Sequence, residues 1–417
     1  MSIPITAARM WLTRGTSPFR FTPHYDQPLP LEGARPLGLY VHIPFCRTLC
    51  PFCPYCKVVF EEELAQAYLN GLLNEIHLVG SQWAGRREVT SLYFGGGSPA
   101  LLASRLGEVI AALEEHFIIT DGIGVEFHPR DVTPDTLSLL QGAGVTRICI
   151  GVQSFQPLSL QSLCRERPDP QILGQTLAAV PFHTVSADFI FALPGQTFDH
   201  LRRDILLAEE MGANHLAFYP FIDFSFTPGP SQALSNGEKR ALLDQLTAFL
   251  RERGYVRDSI WTFARQPGKG YSSMTRTHFL GFGCSATTLL QGQFKVNTFS
   301  ISAYLERLSQ GKLPTALTCR FTPRQRMVYD LFWRAYTTRI SPSEFESCFG
   351  RSLDGAYGLE LRLAQAMGWL RREGEDWVLT DQGAFRFHVF EGYYTLSYID
   401  RMWGLMGREA FPAGMDL

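Results

Sequence analysis

Four of the nine cysteines of this 417-residue chain fall in one loop, Cys46-Arg47-Thr48-Leu49-Cys50-Pro51-Phe52-Cys53-Pro54-Tyr55-Cys56. Soft thiolate donors select iron–sulfur clusters, and three of them on a short loop can hold three irons of a cubane while the fourth iron stays open to another ligand. Two readings compete with this one. A disulfide needs an oxidising compartment, of which the rest of the chain gives no sign. A structural zinc site needs four tetrahedral donors; zinc ribbons set two cysteine pairs apart by a long spacer, and no second pair exists here. Cys149, Cys164, Cys284, Cys319 and Cys348 are scattered and read as reduced thiols.

The pattern around the loop predicts an α/β fold. Residues 38–43 form a short apolar strand that delivers the cysteines, and apolar residues at helical spacing (Leu64, Tyr68, Leu72, Ile76, Leu78) mark a helix over 61–83. Strands are then expected at 89–94, 123–127, 147–152, 185–191 and 215–219, with helices at 103–117, 133–142, 170–179, 198–211 and 236–252 between and after them. That alternation implies a parallel sheet in one domain over 37–315. Six strands fall short of the eight of a full barrel, so a partial, open (β/α)6-type barrel is expected. Residues 1–36, rich in Pro, Arg and Thr, read as an irregular arm. Residues 316–417 read as a mostly helical, winged-helix-like domain, with helices at 324–336, 343–348 and 355–374, a wing from Asp376, and an aromatic helix over 391–408 that covers the active site.

Composition narrows the function. With 45% hydrophobic and 19% charged residues and a net charge of −2, nothing draws the chain to nucleic acid, and the winged-helix pattern alone carries no DNA-binding implication. No apolar run reaches the ~18–20 residues of a membrane span, so no integral membrane segment and a cytoplasmic location are expected. Gly95, Gly96 and Gly97 end a strand, where α/β proteins bind ligands and where glycine lets the backbone approach one closely. The stretch Phe218–Phe226 places aromatic faces after another strand, suited to a flat ring or to covering the barrel mouth.

A Cys-x3-Cys-x2-Cys loop after the first strand, with Gly-Gly-Gly after the next, resembles the radical S-adenosylmethionine (SAM) superfamily. Within it the chain is similar to the oxygen-independent coproporphyrinogen III oxidase-like family along nearly its whole length. The segments that carry the likeness are 39–53, 94–99, Glu126-Phe127-His128-Pro129-Arg130, Gly151-Val152-Gln153-Ser154-Phe155, 188–196 and 279–285. The resemblance implies that Cys46, Cys50 and Cys53 hold a [4Fe-4S] cluster, that Tyr40 packs beside the SAM bound to it, and that Gly95–Gly97, Glu126, Gln153, Arg165 and Asp188 bind that SAM. A carboxylate suits ribose hydroxyls or an ammonium, and a guanidinium suits a carboxylate. It also implies a second SAM, walled by Phe263-Ala264-Arg265, Gly270-Tyr271 and Phe279–Gly283, with Ala264 and Phe282 in contact, and a one-electron donor such as flavodoxin or ferredoxin.

Two departures from the oxidase pattern shift the expected reaction. The oxidase has one residue between its third and fourth cysteines where this chain has Pro54-Tyr55, so Cys56 is expected to be no ligand. The run Met274–His278 lacks the acidic residues the oxidase places there. The resemblance then favours the class C methyltransferase branch, in which an adenosyl radical from one SAM activates the methyl group of a second for addition to an sp2 ring carbon. A quinone, a porphyrinogen or a heteroaromatic ring is the expected substrate, with menaquinone C8-methyltransferases as one likeness through the C-terminal helix. Oxidative decarboxylation of coproporphyrinogen III is the alternative. A haem chaperone using His42, His128, His215 or His278 as an axial ligand is a further one.

Overall fold

The computed structural model describes residues 3–23, 28–227, 234–265 and 277–417. Six parallel strands line up in chain order: β1 (Leu37–Ile43), β2 (Leu92–Gly96), β3 (Ile123–Phe127), β4 (Val145–Gln153), β5 (Thr184–Phe191) and β6 (His215–Pro220). Five helices of nine residues or more lie between them, α1 (Glu62–Gly80), α2 (Ala103–Glu114), α3 (Pro134–Gly142), α4 (Pro170–Ala179) and α5 (Phe198–Glu210), and α6 (Asn236–Glu252) follows β6. Each strand alternates two kinds of side chain because successive residues point to opposite faces. On β4, Ile148, Ile150 and Val152 join the helix-side core, while Cys149, Gly151 and Gln153 face inward. On β5, Val185, Ala187, Phe189 and Phe191 take the core face, leaving Ser186 and Asp188 inside. The polar residues thus gather in the barrel hollow because the apolar half of each strand is used for packing.

Caps fix the helix starts. Thr133 accepts from the Thr136 amide, Asp169 from the amides of Gln171 and Ile172, and Ser235 and Glu238 satisfy one another across a first turn. Beyond β6 the sheet turns antiparallel with β7 (Thr262–Ala264). On its other side β8 (His278–Phe282) runs parallel to β1, followed by antiparallel strands at Thr287–Leu290, Gln293–Asn297 and Thr315–Arg320.

Three expectations are corrected. The arm is not wholly irregular: Ile3–Thr13 is helical, and Arg20–Thr22 adds to the strand Thr315–Arg320 and to Met415–Asp416 near the chain's end. The helix predicted over 355–374 stops at Ala366, because Gly368 takes a left-handed conformation (φ 72°) and Leu370–Glu373 then pairs with Asp376–Leu379. The aromatic helix predicted over 391–408 is two helices, α7 (Asp381–Tyr394) and α8 (Asp400–Met406), separated by a π-turn at Thr395–Ile399. No helix among the described residues is long and apolar enough to cross a membrane.

Candidate active site

The cysteine loop is an excursion closed at its base. Phe45 and Cys46 pair with Val58 and Val59, and the amides of Val58 and Phe60 donate to the carbonyls of Pro44 and Cys46, both at 2.8 Å. Cys46, Cys50 and Cys53 are free thiols, half-buried and close enough for their charges to interact. Burial and the neighbouring thiols push Cys46 up to about 12, so this thiol ionises readily only with a cation beside it. Gly97 backs directly onto the loop: a Cβ there would sit 2.3 Å from the Phe45 carbonyl oxygen and 2.9 Å from the Cys46 sulfur. Three soft donors on a base that admits no side chain fit an iron–sulfur cluster.

The residues expected to bind SAM converge beside this loop. Arg165 donates from Nη1 to the Cys50 sulfur at 3.4 Å and from Nη2 to the Gly151 carbonyl at 2.9 Å. Glu126 accepts from the Tyr93 hydroxyl at 2.8 Å and from the Gly96 amide at 3.1 Å, while burial and Asp188 raise its carboxyl. Tyr40 stacks on Tyr93 with centroids 6.3 Å apart, and its hydroxyl meets His42 Nδ1 at 3.0 Å. A Cβ on Gly95 would press on both Glu126 and Tyr40. Gly96 adopts φ 122° with no room for a side chain beside His42. Gln153, at the end of β4, holds φ 68°, a conformation rare for a residue with a side chain and common where ligands are clamped. Asp188 accepts from the Ser186 hydroxyl at 3.3 Å, and burial raises its carboxyl.

The residues expected around a second SAM are more dispersed. Ala264 is buried on β7 opposite His215, and Arg265 turns outward to Glu209 at 2.6 Å. Phe282 is wholly buried, its ring edge-on to Phe117. Gly270 and Tyr271 lie outside the described residues.

Cys56 turns away from the other three. Its sulfur lies 3.9 Å from that of Cys284 and 3.4 Å from the Phe299 carbonyl, and its own carbonyl accepts from His42 Nε2 at 2.9 Å. Of the other histidines considered as axial ligands, His128 Nδ1 accepts the Arg130 amide, and His215 Nδ1 meets the Ser186 hydroxyl at 2.8 Å. Burial pushes both His128 and His278 down to about 4.

Sequence reasoning missed the far wall of the hollow. Tyr55 and Tyr219 keep 54% and 39% of their surface accessible, yet burial raises both hydroxyls. Tyr336 and Glu391 lie on this side as well: of the charges acting on Tyr336, Glu391 weighs most, and it also acts on Tyr55. The C-terminal helices close the space. Trp403 packs on Tyr55 with centroids 5.4 Å apart and stacks on Phe224 at 6.4 Å, while Asp400 accepts from the amide and hydroxyl of Ser225 at 2.7 and 2.8 Å. The aromatic character of 218–226 and of the helix expected over 391–408 were the sequence signals for this lid.

Comparison with known proteins agrees with this geometry. Residues 40–208 match the model of the radical SAM superfamily. The oxygen-independent coproporphyrinogen III oxidase of Bradyrhizobium diazoefficiens is 31% identical over 333 residues, 71% of this chain and 72% of that protein. The haem chaperone HemW of Bacillus subtilis is 25% identical over 362 residues, 82% of this chain and 95% of that protein. The structure of Escherichia coli coproporphyrinogen III oxidase, HemN, shares the fold with a TM-score of 0.74 at 24% identity, covering 88% of this chain and 93% of that one. The chain therefore belongs to the radical SAM superfamily, whose members use a [4Fe-4S] cluster and SAM, and within it to the family of the oxygen-independent coproporphyrinogen III oxidases and their HemW relatives.

Proposed function

We propose that this radical SAM enzyme acts on a tetrapyrrole and decarboxylates coproporphyrinogen III oxidatively. The observation that carries the reading is the set of polar residues at the strand ends gathered beside the cysteine loop, with Tyr55, Trp403 and Phe224 packed over them, in a chain whose curated relatives are named for coproporphyrinogen III and haem. These relatives move the balance away from the methyl transfer expected from the sequence.

In this reading Cys46, Cys50 and Cys53 hold the cluster, and Arg165, Glu126, Gln153, Asp188 and the Gly95–Gly97 backbone hold SAM. The bound cofactors supply a carbon-centred radical able to take a hydrogen atom from unactivated carbon, with the electron delivered by a donor such as flavodoxin or ferredoxin. The chain's own residues then have three tasks. Arg165 bridges Cys50 and the end of β4, fixing the loop against the strands that carry Gln153 and Asp188. Glu126 ties the Gly96 amide to Tyr93, which sets the height of the glycine floor. Tyr55, Trp403 and Phe224 close the mouth and keep water from a reactive centre.

Methyl transfer to a ring remains a second reading because of one feature. The charges that weigh on Tyr55 and Tyr219 are carboxylates, thiols and other tyrosines, whereas four propionates call for cations. Anaerobic turnover of the reconstituted protein with methyl-labelled SAM, a reductant and either porphyrinogen or quinone substrates decides. Carbon dioxide with unlabelled product establishes decarboxylation. Label in the ring together with S-adenosylhomocysteine establishes methyl transfer. Haem retained without either product overturns both in favour of a carrier.

A further inference from the structure

α1 and α2 pack against one another and run back from the strand ends that carry the cysteine loop to the starts of the strands that follow. At that opposite rim of the barrel they bring three metal-ligating side chains together. His77 lies in the last turn of α1, and Glu115 and His116 follow the last turn of α2. Nδ1 of His77 faces Nε2 of His116 at 3.3 Å and Oε2 of Glu115 at 3.7 Å, and the three donor atoms all lie within 4.8 Å of one another. Two donors bound at about 2.0–2.2 Å to one tetrahedral ion stand roughly 3.3–3.6 Å apart, so small side-chain adjustments let these three share an ion.

The backbone holds this arrangement in place. Gly80, at the end of α1, lets the His116 ring lie against the helix: a Cβ there would stand 2.3 Å from ring carbons and 2.5 Å from Nδ1. That contact leaves Nε2 of the ring to face His77, one helical turn back. The His116 carbonyl accepts from the Arg87 amide at 2.9 Å, and Phe117 pairs with Arg87 in a short parallel ribbon. Two helix C-termini meet here, and the partial negative charge at each favours a cation. The side chains of His77 and Glu115 are 50% and 63% accessible, so an ion reaches them from solvent with no opening of the fold. A hydrogen bond between the rings occupies one lone pair and leaves the carboxylate beside it idle, whereas a cation engages all three groups.

We propose that His77, Glu115 and His116 form a binding site for a divalent transition-metal cation, zinc foremost, with the remaining coordination position open to water. Two imidazoles and a carboxylate suit zinc, nickel or copper(II) rather than calcium or magnesium, which take shells of oxygen. The bound ion ties the end of α1 to the end of α2. It sits across the barrel from the cluster, so it steadies the fold and takes no part in the radical chemistry. The inference holds whichever ring the enzyme transforms.

The test is anaerobic equilibrium dialysis of the cluster-loaded protein against zinc chloride at neutral pH, with iron and zinc both counted. Wild type, His77→Ala, His116→Ala, Glu115→Gln and Gly80→Ala are compared. The wild type is expected to take up one zinc ion per chain in the micromolar range without losing iron, and each histidine variant to bind it about tenfold or more weakly. Glu115→Gln keeps the shape and removes the charge, so its affinity should fall between. Gly80→Ala adds a better helix former yet pushes the His116 ring aside, so it should weaken zinc binding as well. Zinc should raise the melting temperature of the wild type and leave that of the histidine variants unchanged. Equal uptake by the wild type and both histidine variants, uptake only as iron is lost, or no uptake in the micromolar range overturns the proposal.

Discussion

The sulfur of Cys56 lies 3.9 Å from that of Cys284, joining the cysteine loop to the strand end at Phe282 across the barrel seam. The contact with Cys284 holds the Cys56 thiol below its usual range, while burial, with Cys56 beside it, raises that of Cys284. A ring nitrogen of His42 lies within 4.8 Å of both sulfurs. Cys56 is thus bound up in a contact of its own, apart from the three thiols that face Arg165 and Lys57. Alanine at Cys46, Cys50 or Cys53 is expected to abolish cluster assembly, while Cys56→Ala retains it. Iron and sulfide content after anaerobic reconstitution checks this, and a cluster lost with Cys56 would reassign the ligand set.

Asp188 stands on the inner face of β5, its carboxyl raised by burial and steadied by Ser186. Asp188→Ala should weaken SAM binding by about tenfold or more, the loss of a hydrogen bond to a charged acceptor, with the iron content unchanged. Equilibrium dialysis with labelled SAM measures it. An affinity equal to wild type would take Asp188 out of the SAM site.

Gly97 tests the floor of the cysteine loop. The Cβ of Gly97→Ala would stand 2.3 Å from a backbone oxygen and 2.9 Å from the Cys46 sulfur, and backbone cannot swing aside as a side chain can. The loop must shift, so cluster content after reconstitution should fall well below wild type while the folded chain survives. Gly142→Ala, where a Cβ meets nothing within 4 Å, is the control and should load normally.

The barrel and the cysteine loop were legible because their signals are local. Strands buried on both faces write unbroken apolar runs, and close cysteine spacing survives without any knowledge of the fold. Contacts between distant segments leave no such trace. Cys284 reads as a stray core thiol until the sheet brings it to Cys56. Glu391 reads as one more charge on an aromatic helix, and the π-turn that follows it comes from packing rather than propensity. Glu75 is the clearest case. It sits in α1 among Asn74 and His77, where a helix surface charge is the ordinary reading, yet it is only 2% exposed.

Glu75 accepts from the Gly283 amide and the Tyr304 hydroxyl, both at 2.7 Å, and from Asn297 Nδ2 at 3.0 Å. It therefore anchors the turn that presents Cys284 to Cys56. Glu75→Ala strands three buried donors at about 1–3 kcal/mol each and should destabilise the chain by roughly 3 kcal/mol or more. Thermal unfolding of the purified protein should show a drop of several degrees. An unchanged midpoint would mean that water replaces the carboxylate at no cost.

The last expectation concerns pH. Burial raises the Glu391 carboxyl from 4.5 to about 7. The folded chain holds this proton more tightly than the unfolded one, so the contribution to stability is full below about pH 4.5 and is lost as pH rises through about 7. Glu391→Gln cannot ionise. Its stability relative to wild type should therefore improve between about pH 5 and pH 8.5, by up to about 3 kcal/mol for a shift of this size. Glu75, also held at about 7, titrates over the same range but is present in both proteins and cancels in the difference. Melting temperatures of the two proteins across that range give the result. A difference between them that does not change with pH would show that Glu391 meets water freely.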